Sequence, residues 1–369
     1  MTDTLDIFLV VAPGLETVLA EEARASGFDV AEVTPGGVSL RGGWPEVWRA
    51  NLELRGASRV LVRVASFMAF HLAQLDKRAR KIAWGEVLRA DVPVRVEATS
   101  SKASKIYHGG AAAQRIGRAI NEELGAPLTD DAALTLKARI DDNRVTISVD
   151  TSGPTLHKRG HKEAVGKAPM RETLAALFLR RCGFTGTEPL VDPMCGSGTF
   201  IIEGAEMAAG LQPGRSRGFA FEHLANFDPA AWTSLKGRAG GSAPCRHHGF
   251  DRDPGAIRMA TANAERAGVG QGTSFAPGSI SELQRPEGPS GLVIVNPPYG
   301  GRIGNKQGLH ALYGSLGKVL AERFSGWRVG IVTSEAGLAR ATGLPLLKAD
   351  APVPHGGLKV ALHRTDPLP

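Results

Sequence analysis

The feature that most constrains this chain is a glycine-rich turn between a short apolar run and a helix-forming segment. The apolar run ends at residues 190–191, is typical of a buried strand, and is followed by Asp192. Gly196 and Gly198 permit a turn too tight for larger side chains, and residues 199–209 have the composition of a helix. A strand, a glycine turn and a helix present backbone N–H groups to a ligand at the helix N-terminus. The sequence therefore predicts an α/β domain with a ligand site at this turn.

The class of ligand is narrowed by what the turn lacks. A dinucleotide fingerprint needs a third glycine three residues after the second, where this chain has Ile201. A phosphate-binding P-loop needs Gly-Lys-Ser/Thr, and Gly166-Lys167 is followed by Ala168. Asp192 would repel phosphate but suits the cationic end of a phosphate-free nucleoside, and S-adenosylmethionine is such a ligand. A purely structural glycine turn is the alternative for this stretch taken alone.

A second apolar run, 291–295, ends in a polar motif. The run is typical of a buried strand, and Asn296, Pro297, Pro298 and Tyr299 follow it. Two prolines after a central strand fit only its carboxyl end, where ligands of open α/β sheets bind. The Asn296 side chain and a proline carbonyl can both accept from an amino group, and the Tyr299 ring offers a face to a flat base. This motif predicts a site for the amino group of a planar base.

Together the two motifs resemble those of the class I S-adenosylmethionine-dependent amino-methyltransferases, which act on an NH₂ group of adenine, cytosine, guanine or glutamine. The resemblance implies a seven-stranded, Rossmann-like α/β sheet with helices on both faces. It implies catalytic roles for Asn296, Pro297, Pro298 and Tyr299. It also implies a set of contacts to S-adenosylmethionine from the ends of four strands: Asp192, Met194, Cys195, Gly196, Ser197, Gly198, Thr199, Asp251, Arg252, Ser279, Ile280 and Asn296.

Two positions in this set need comment. Asp251 follows the second strand and is placed to accept from both ribose hydroxyls, as in the family's second motif, whereas Asp253 is expected to cap the helix over 255–267. The family usually has an Asp after the third strand that meets the adenine amino group, and this chain has Ser279 there. A serine hydroxyl accepts only as a neutral partner, which leaves weaker cofactor binding open.

The N-terminal part reads as two α+β units. Residues 1–55 run strand, helix, strand and predict a ferredoxin-like region. Residues 56–153 alternate strand and helix patterns and end in a hairpin about Asp141-Asp142-Asn143. This order and the turn over 100–105 resemble a THUMP domain, which holds RNA in RNA-modifying enzymes, with a generic ferredoxin-like domain as the alternative. A linker over 154–170 and a methyltransferase domain over 171–369 complete the predicted organisation.

The whole order resembles the THUMP-containing RNA guanine-N2-methyltransferases, a family that includes the N-terminal half of a large-subunit rRNA methyltransferase as well as tRNA relatives. The resemblance implies methyl transfer to guanine N2 of RNA, with 23S rRNA as the expected substrate and tRNA as the alternative. The basic junction 156–162 would border the active cleft, although a solvated linker is the alternative when it is taken alone. The residues expected to face RNA are Lys102, Lys105, Lys158, Arg159 and Lys162.

The composition limits which partners, which cellular location and which metal site we expect. The net charge of +7 permits a polyanionic partner. The N-terminus does not have the pattern of a signal peptide, and no apolar run reaches membrane-spanning length. Three scattered cysteines indicate a reducing cytoplasm. Cys245, His247 and His248 lack a fourth ligand at suitable spacing, so no metal is expected.

Other features remain open. The long stretch 209–245 has little periodicity, which is usual for a functional or mobile connection. The last strands are expected at 327–333, 344–347 and 358–363. A methyltransferase of the same chemistry on DNA adenine or protein glutamine, and an RNA-binding protein without catalysis, are the competing functions. The sequence does not determine the oligomeric state.

Overall fold

The computed structural model describes residues 4–163, 170–237, 240–300 and 306–369. Residues 164–169, which include Gly166-Lys167 and most of the predicted linker, lie outside the described residues. The chain forms two compact units. Unit 1 comprises Met1–Val11, Ala20–Leu156 and Arg217–Arg238, and unit 2 comprises Ala12–Leu19, His157–Ser216 and Ala239–Pro369.

Unit 1 is built on a seven-stranded sheet with the order β2-β3-β1-β4-β7-β6-β5. All neighbouring strands are antiparallel except β5 and β6. The strands are β1 (Leu5–Val10), β2 (Asp29–Thr34), β3 (Gly37–Gly42), β4 (Arg59–Met68), β5 (Val94–Ser100), β6 (Leu134–Asp141) and β7 (Arg144–Asp150). The helices are α1 (Glu16–Ala25), α2 (Trp44–Glu53), α3 (Leu72–Ala79) and α4 (Gly109–Leu124). The first residues of α1 group with unit 2.

The predicted hairpin between β6 and β7 is confirmed. Asp142 and Asn143 have φ values of 46° and 62°, the left-handed conformation of a two-residue hairpin turn. Strand β2 and helix α2 were not predicted. Helix α3 ends at Ala79, and a 3₁₀ turn follows at Trp84–Glu86.

The unperiodic stretch after residue 209 belongs largely to unit 1, and its described part includes regular structure. It contains a 3₁₀ turn, Ala220–His223, and helix α7 (Pro229–Lys236). Phe221 packs between Trp48 of α2 and Trp232 of α7, with ring centroids 6.3 Å and 5.0 Å away. Its backbone N–H also donates to the Thr151 carbonyl at 3.0 Å. This stretch therefore completes an aromatic cluster of unit 1.

Unit 2 is a second seven-stranded sheet with the order β10-β9-β8-β11-β12-β14-β13. The strands are β8 (Leu190–Asp192), β9 (His247–Asp251), β10 (Thr273–Pro277), β11 (Leu292–Val295), β12 (Arg328–Thr333), β13 (Val353–His355) and β14 (Leu358–Arg364). The helices are α5 (Glu172–Arg181), α6 (Thr199–Ala208), α8 (Pro254–Arg266), α9 (Lys306–Arg323) and α10 (Ala336–Ala341). Strands β8 to β12 are parallel to one another, and β14 runs antiparallel to β12 and β13. The expected methyltransferase-type sheet is confirmed.

One strand prediction was wrong. Residues 344–347 form only a single bridge, from Leu346 to Thr365, because Pro345 has no N–H to donate to a ladder. The edge strand is β13 instead, and its own Pro354 is tolerated at that edge.

Among the described residues, no helix combines the length and apolar character needed to cross a membrane.

Candidate functional site

The two motifs of the sequence meet at the centre of the unit 2 sheet. Strand β8 lies between β9 and β11, with Val191 level with His248 on one side and Val293 on the other. All three strands are parallel, so their carboxyl ends lie on the same side of the sheet. The strand order reverses at β8, and this is where open α/β sheets form a ligand crevice. Asp192 ends β8 at this point.

The glycine turn after β8 has the geometry that the sequence predicts. Gly196 and Gly198 have φ values of 53° and 84°, which favour glycine. A Cβ on Gly198 would lie 3.0 Å from the Ala260 Cβ, so α6 and α8 approach closely here. A Cβ on Gly196 would meet nothing within 4 Å, so the turn is open on that side. The open side is where a ligand could approach the backbone.

Asp192 is a buried acid beneath this turn. Its side chain is 2 % exposed, and its Oδ1 accepts a hydrogen bond from the Met194 N–H at 3.0 Å. Burial raises the pKa of Asp192 to about 8, and the charge of Asp251 adds to the effect. The carboxyl is therefore neutral at lower pH unless a cation reaches it, and a cationic ligand group is the partner it would favour.

Asp251 joins the turn to the end of β9. Its Oδ2 accepts from the Gly196 N–H and its Oδ1 from the Asp253 N–H, each at 3.0 Å. A carboxylate has about four acceptor positions, so it retains capacity for further donors such as hydroxyl groups. Asp253 caps α8 by accepting from the Gly255 N–H at 2.7 Å, as predicted.

The remaining motif residues have mixed exposure. Cys195, Ser197 and Thr199 are buried, Met194 is half-buried, and Arg252 is exposed. Burial raises the pKa of the Cys195 thiol, which argues for a packing role.

Ser279 has a local partner. Its N–H and hydroxyl both donate to Glu282 Oε2, at 3.1 Å and 2.8 Å, and the pKa of Glu282 is lowered by these bonds. Ile280 beside it is buried. An adenine contact from these two residues stays a prediction.

The motif after β11 contains an unsatisfied acceptor. Asn296 Oδ1 is buried and has no hydrogen-bond partner within the described ranges. Such atoms are uncommon because an unpaired buried acceptor costs about 1–3 kcal/mol. An amino group bound at this strand end would satisfy it.

Two residues that the sequence did not single out hold this motif. The hydroxyl of Tyr313 on α9 donates to the Pro298 carbonyl at 3.3 Å, and burial raises the pKa of Tyr313 to about 12. Glu335 Oε1 accepts from the Gly300 N–H at 2.9 Å. Neither lies in a recognisable motif; the only sequence signal is that Glu335 comes just after a strand end.

The basic junction differs from its prediction. Arg159 was expected to face RNA, but its side chain is 2 % exposed and its Nε lies 2.9 Å from Glu203 Oε1 on α6. Lys162 is also largely covered: its Nζ lies 3.0 Å from Glu172 Oε1 and donates to Thr199 Oγ1 at 2.8 Å. Glutamates of the unit 2 interior draw both cations inward. Lys158, between them, is exposed.

In the parts of the chain that the structure describes, no group of three His, Cys, Asp or Glu could hold a metal ion. His247 Nδ1 accepts from the Leu190 N–H at 3.2 Å, and His248 Nδ1 lies 2.8 Å from Ser274 Oγ. These histidines next to Cys245 therefore have structural partners.

Comparison with known proteins gives matches over most of the chain. Residues 159–350 match the family model described as RMKL-like, methyltransferase domain, and residues 6–61 match the RlmL ferredoxin-like domain. Ribosomal RNA large subunit methyltransferase K/L of Vibrio campbellii is 33 % identical over 88 % of this chain, but this chain covers 48 % of that protein. The chain thus spans about half the length of that relative.

Two further matches extend over nearly the full length. A Synechocystis protein provisionally named an RNA methyltransferase is 32 % identical, covering 97 % of this chain and 96 % of its own. A solved structure of a protein provisionally named a methyltransferase, complexed with S-adenosylhomocysteine, has a TM-score of 0.90 and 27 % identity, with all of both chains covered.

Proposed function

This chain belongs to the RMKL-like methyltransferase family, and from that membership we propose that it transfers a methyl group from S-adenosylmethionine to guanine N2 of RNA, with 23S rRNA as substrate. The observation that carries the proposal is the buried, unsatisfied Asn296 Oδ1 at the end of β11, next to the glycine turn of β8. The name of the K/L relatives supports large-subunit rRNA over tRNA, which is the alternative substrate.

The residues present fit S-adenosylmethionine. Asp192 would receive the ammonium end, which is the partner that its raised pKa favours. The open side of Gly196 admits the cofactor to the backbone, and Asp251 would accept from the ribose hydroxyls. Ser279 and Ile280 would border the adenine. When bound, S-adenosylmethionine supplies a methyl group already activated on a sulfonium.

Asn296 and Pro297 would orient the target nitrogen. The guanine N2 lone pair is delocalised into the ring, which makes the amino group a poor nucleophile. By accepting the two amino protons, Asn296 Oδ1 and the Pro297 carbonyl would hold the nitrogen closer to tetrahedral and direct its lone pair at the methyl carbon. We assign this role to Pro297 because the Pro298 carbonyl already accepts from the Tyr313 hydroxyl and has only one acceptor position left.

Alignment supplies most of the catalysis in this scheme. Orientation of two reactants can contribute roughly 7–11 kcal/mol, and the activated methyl group does not require a strong base. The guanine nitrogen would release one proton to water on methylation. The Tyr299 ring is 9 % exposed, so only the part of it that remains accessible would stack on the base and hold it there. A guanine within a stem would first have to be flipped out, at a cost of a few kcal/mol.

We assign RNA contacts to the exposed lysines. Lys102, Lys105 and Lys158 are exposed, whereas Arg159 and Lys162 are committed to Glu203 and Glu172. An RNA-holding, THUMP-type role for the part of unit 1 after residue 56 is included in the proposal. A cytoplasmic location is proposed as well, supported by three cysteines that are all free thiols.

Single-turnover methylation of rRNA with saturating cofactor tests the catalytic assignment. At saturating RNA and cofactor, Asn296→Ala should reduce the rate about 10²–10³-fold, because its contact to the target nitrogen strengthens in the transition state. Tyr299→Ala should impair both binding and rate, whereas Tyr299→Phe keeps the ring and should retain most activity.

The chemical identity of the methylated product shows which atom is the methyl acceptor. Mass analysis of the modified nucleoside should find N2-methylguanosine. Methylated adenine, a methylated glutamine, or modification of tRNA alone would replace the proposed substrate, and a near wild-type rate for Asn296→Ala would contradict the mechanism.

A further inference from the structure

Three loops of unit 1 leave its sheet at the same end of the strands. Strand β4 ends at Met68, which pairs with Arg144 at the start of β7, and Ser100 at the end of β5 pairs with Ile140 of β6. The C-terminal ends of β4, β5 and β6 and the start of β7 therefore lie at the same end of the sheet. We call the loops that leave it, residues 69–71, 101–108 and 142–143, the loop platform.

Hydrogen bonds tie the loop platform into one piece. The Asn143 carbonyl accepts from the Ala69 N–H at 2.9 Å, and the Asn143 side-chain oxygen accepts from the Lys105 N–H at 2.8 Å. Ser104 Oγ accepts from the Asn143 N–H at 3.2 Å and donates to the Ile140 carbonyl at 3.3 Å. One asparagine thus connects all three loops, so side chains on the platform are presented from a fixed backbone.

The loop platform exposes an aromatic ring on the same loop as two lysines. Tyr107 is 82 % exposed, the largest value among the exposed large apolar side chains of the described residues. Lys105, two residues earlier, lies with its ammonium 5.5 Å from the centroid of Phe70, which is itself 43 % exposed. Lys102 in the second loop and Arg144 at the start of β7 are exposed, and so is the acidic side chain of Asp142 in the hairpin turn.

A single exposed ring is common on protein surfaces, and here it stands on the same loop as two exposed lysines. Bases stack on aromatic rings with about 1–3 kcal/mol each, and flanking cations match the phosphates between them. Bases in a duplex are stacked on one another, so their faces are not accessible to a protein ring.

We propose that the loop platform binds an unpaired stretch of RNA, with one base stacked on Tyr107 and adjacent phosphates at Lys102 and Lys105. The Phe70 ring fixes the Lys105 ammonium and is not itself covered by a base. This inference rests on the proposed RNA substrate, and it adds that unit 1 recognises unpaired nucleotides by stacking.

The test measures binding of the full chain to a fluorescent oligoadenylate of about 12 nucleotides, within the usual site size of single-strand binders. Tyr107→Ala should weaken binding roughly fivefold or more at fixed salt, with an unchanged salt slope. Tyr107→Phe should bind like wild type, whereas Tyr107→Leu should resemble Tyr107→Ala because it is apolar but lacks a π face. Lys105→Ala should reduce the log–log salt slope by about 0.7.

Val33→Ala is the matched control. Val33 is 39 % exposed on β2, at the opposite edge of the sheet from β5, so its loss should leave binding unchanged. Wild-type binding by Tyr107→Ala, failure of the wild-type chain to bind oligoadenylate, or equal affinity for an RNA duplex of the same length would overturn the proposal.

Methylation of rRNA, measured in parallel, separates this proposal from the enzyme function. If the wild-type chain methylates rRNA and Tyr107→Ala binds oligoadenylate as wild type does, the stacking proposal is refuted and the enzyme function stands. Tyr107-dependent binding by a chain that transfers no methyl group to RNA would refute the enzyme function alone.

Discussion

Replacing Asp192 with Asn should stabilise the cofactor-free protein at alkaline pH while abolishing cofactor binding. Burial raises the pKa of Asp192 from 3.8 to about 8. The folded pKa exceeds the unfolded value, so the stabilising contribution is complete below pH 3.8 and is lost as pH rises to about 8. Each pKa unit corresponds to about 1.36 kcal/mol, and the group is already half ionised at pH 8, so the wild-type protein should lose about 2 kcal/mol between pH 6 and pH 8 that Asp192→Asn does not lose.

Hydrogen exchange of the cofactor-free full chain can measure this difference. Peptides from β8 and β11 report on unit 2 alone, which avoids overlap between the unfolding transitions of two units. The Asn side chain can still accept from the Met194 N–H, so the turn should be preserved. The quantity to compare is the difference in exchange protection between wild type and Asp192→Asn. If this difference were the same at pH 6 and at about pH 8.5, Asp192 would be ionised in the folded protein at both pH values and the reasoning would be wrong.

The raised pKa of Asp192 also predicts that ligand binding releases a proton. An ammonium group next to Asp192 favours the carboxylate, so binding of S-adenosylhomocysteine at pH 7 should release about 0.9 proton from this group. Calorimetry in buffers of different ionisation enthalpy would measure the release. Asp192→Asn should show neither the proton release nor measurable binding.

Other predictions concern the residues that support the site. Tyr313→Phe loses the bond to the Pro298 carbonyl and should lower the single-turnover rate about tenfold or less with cofactor affinity unchanged, as measured by calorimetry. Arg159→Ala removes the cation that pairs with the buried Glu203 and should cost about 3–5 kcal/mol in denaturant unfolding, whereas Lys158→Ala at the exposed neighbouring position should cost much less. An equal and small cost for both variants would contradict the buried pair.

The parts of the fold that could be predicted are those set by local sequence. Gly196 and Gly198 are required by the backbone angles of the turn itself, and the Asp142-Asn143 hairpin is specified by residues that tolerate a positive φ. The strand before Asn296 is a continuous apolar run whose meaning does not depend on distant residues. The family models then confirm the methyltransferase and ferredoxin-like assignments.

The parts that could not be predicted depend on partners far along the chain. Arg159 looks solvated in a basic run, and only the fold brings it against Glu203, which is 44 residues away. The bonds from Tyr313 and Glu335 to the motif after β11 span 15 and 35 residues. No local pattern records such pairings, so electrostatic partners and supporting contacts had to come from the structure.

The return of residues 217–238 to unit 1 has a consequence for how the protein is made. As the chain leaves the ribosome, the whole sheet of unit 1 emerges before the aromatic residues that pack on Trp48 have been synthesised. Strand β8, its glycine turn and α6 must emerge first. A nascent chain that has been synthesised only as far as Leu156 would therefore carry an uncovered apolar surface around Trp48. Cutting the protein after Leu156 would place Phe221 and Trp232 on a different fragment from Trp48.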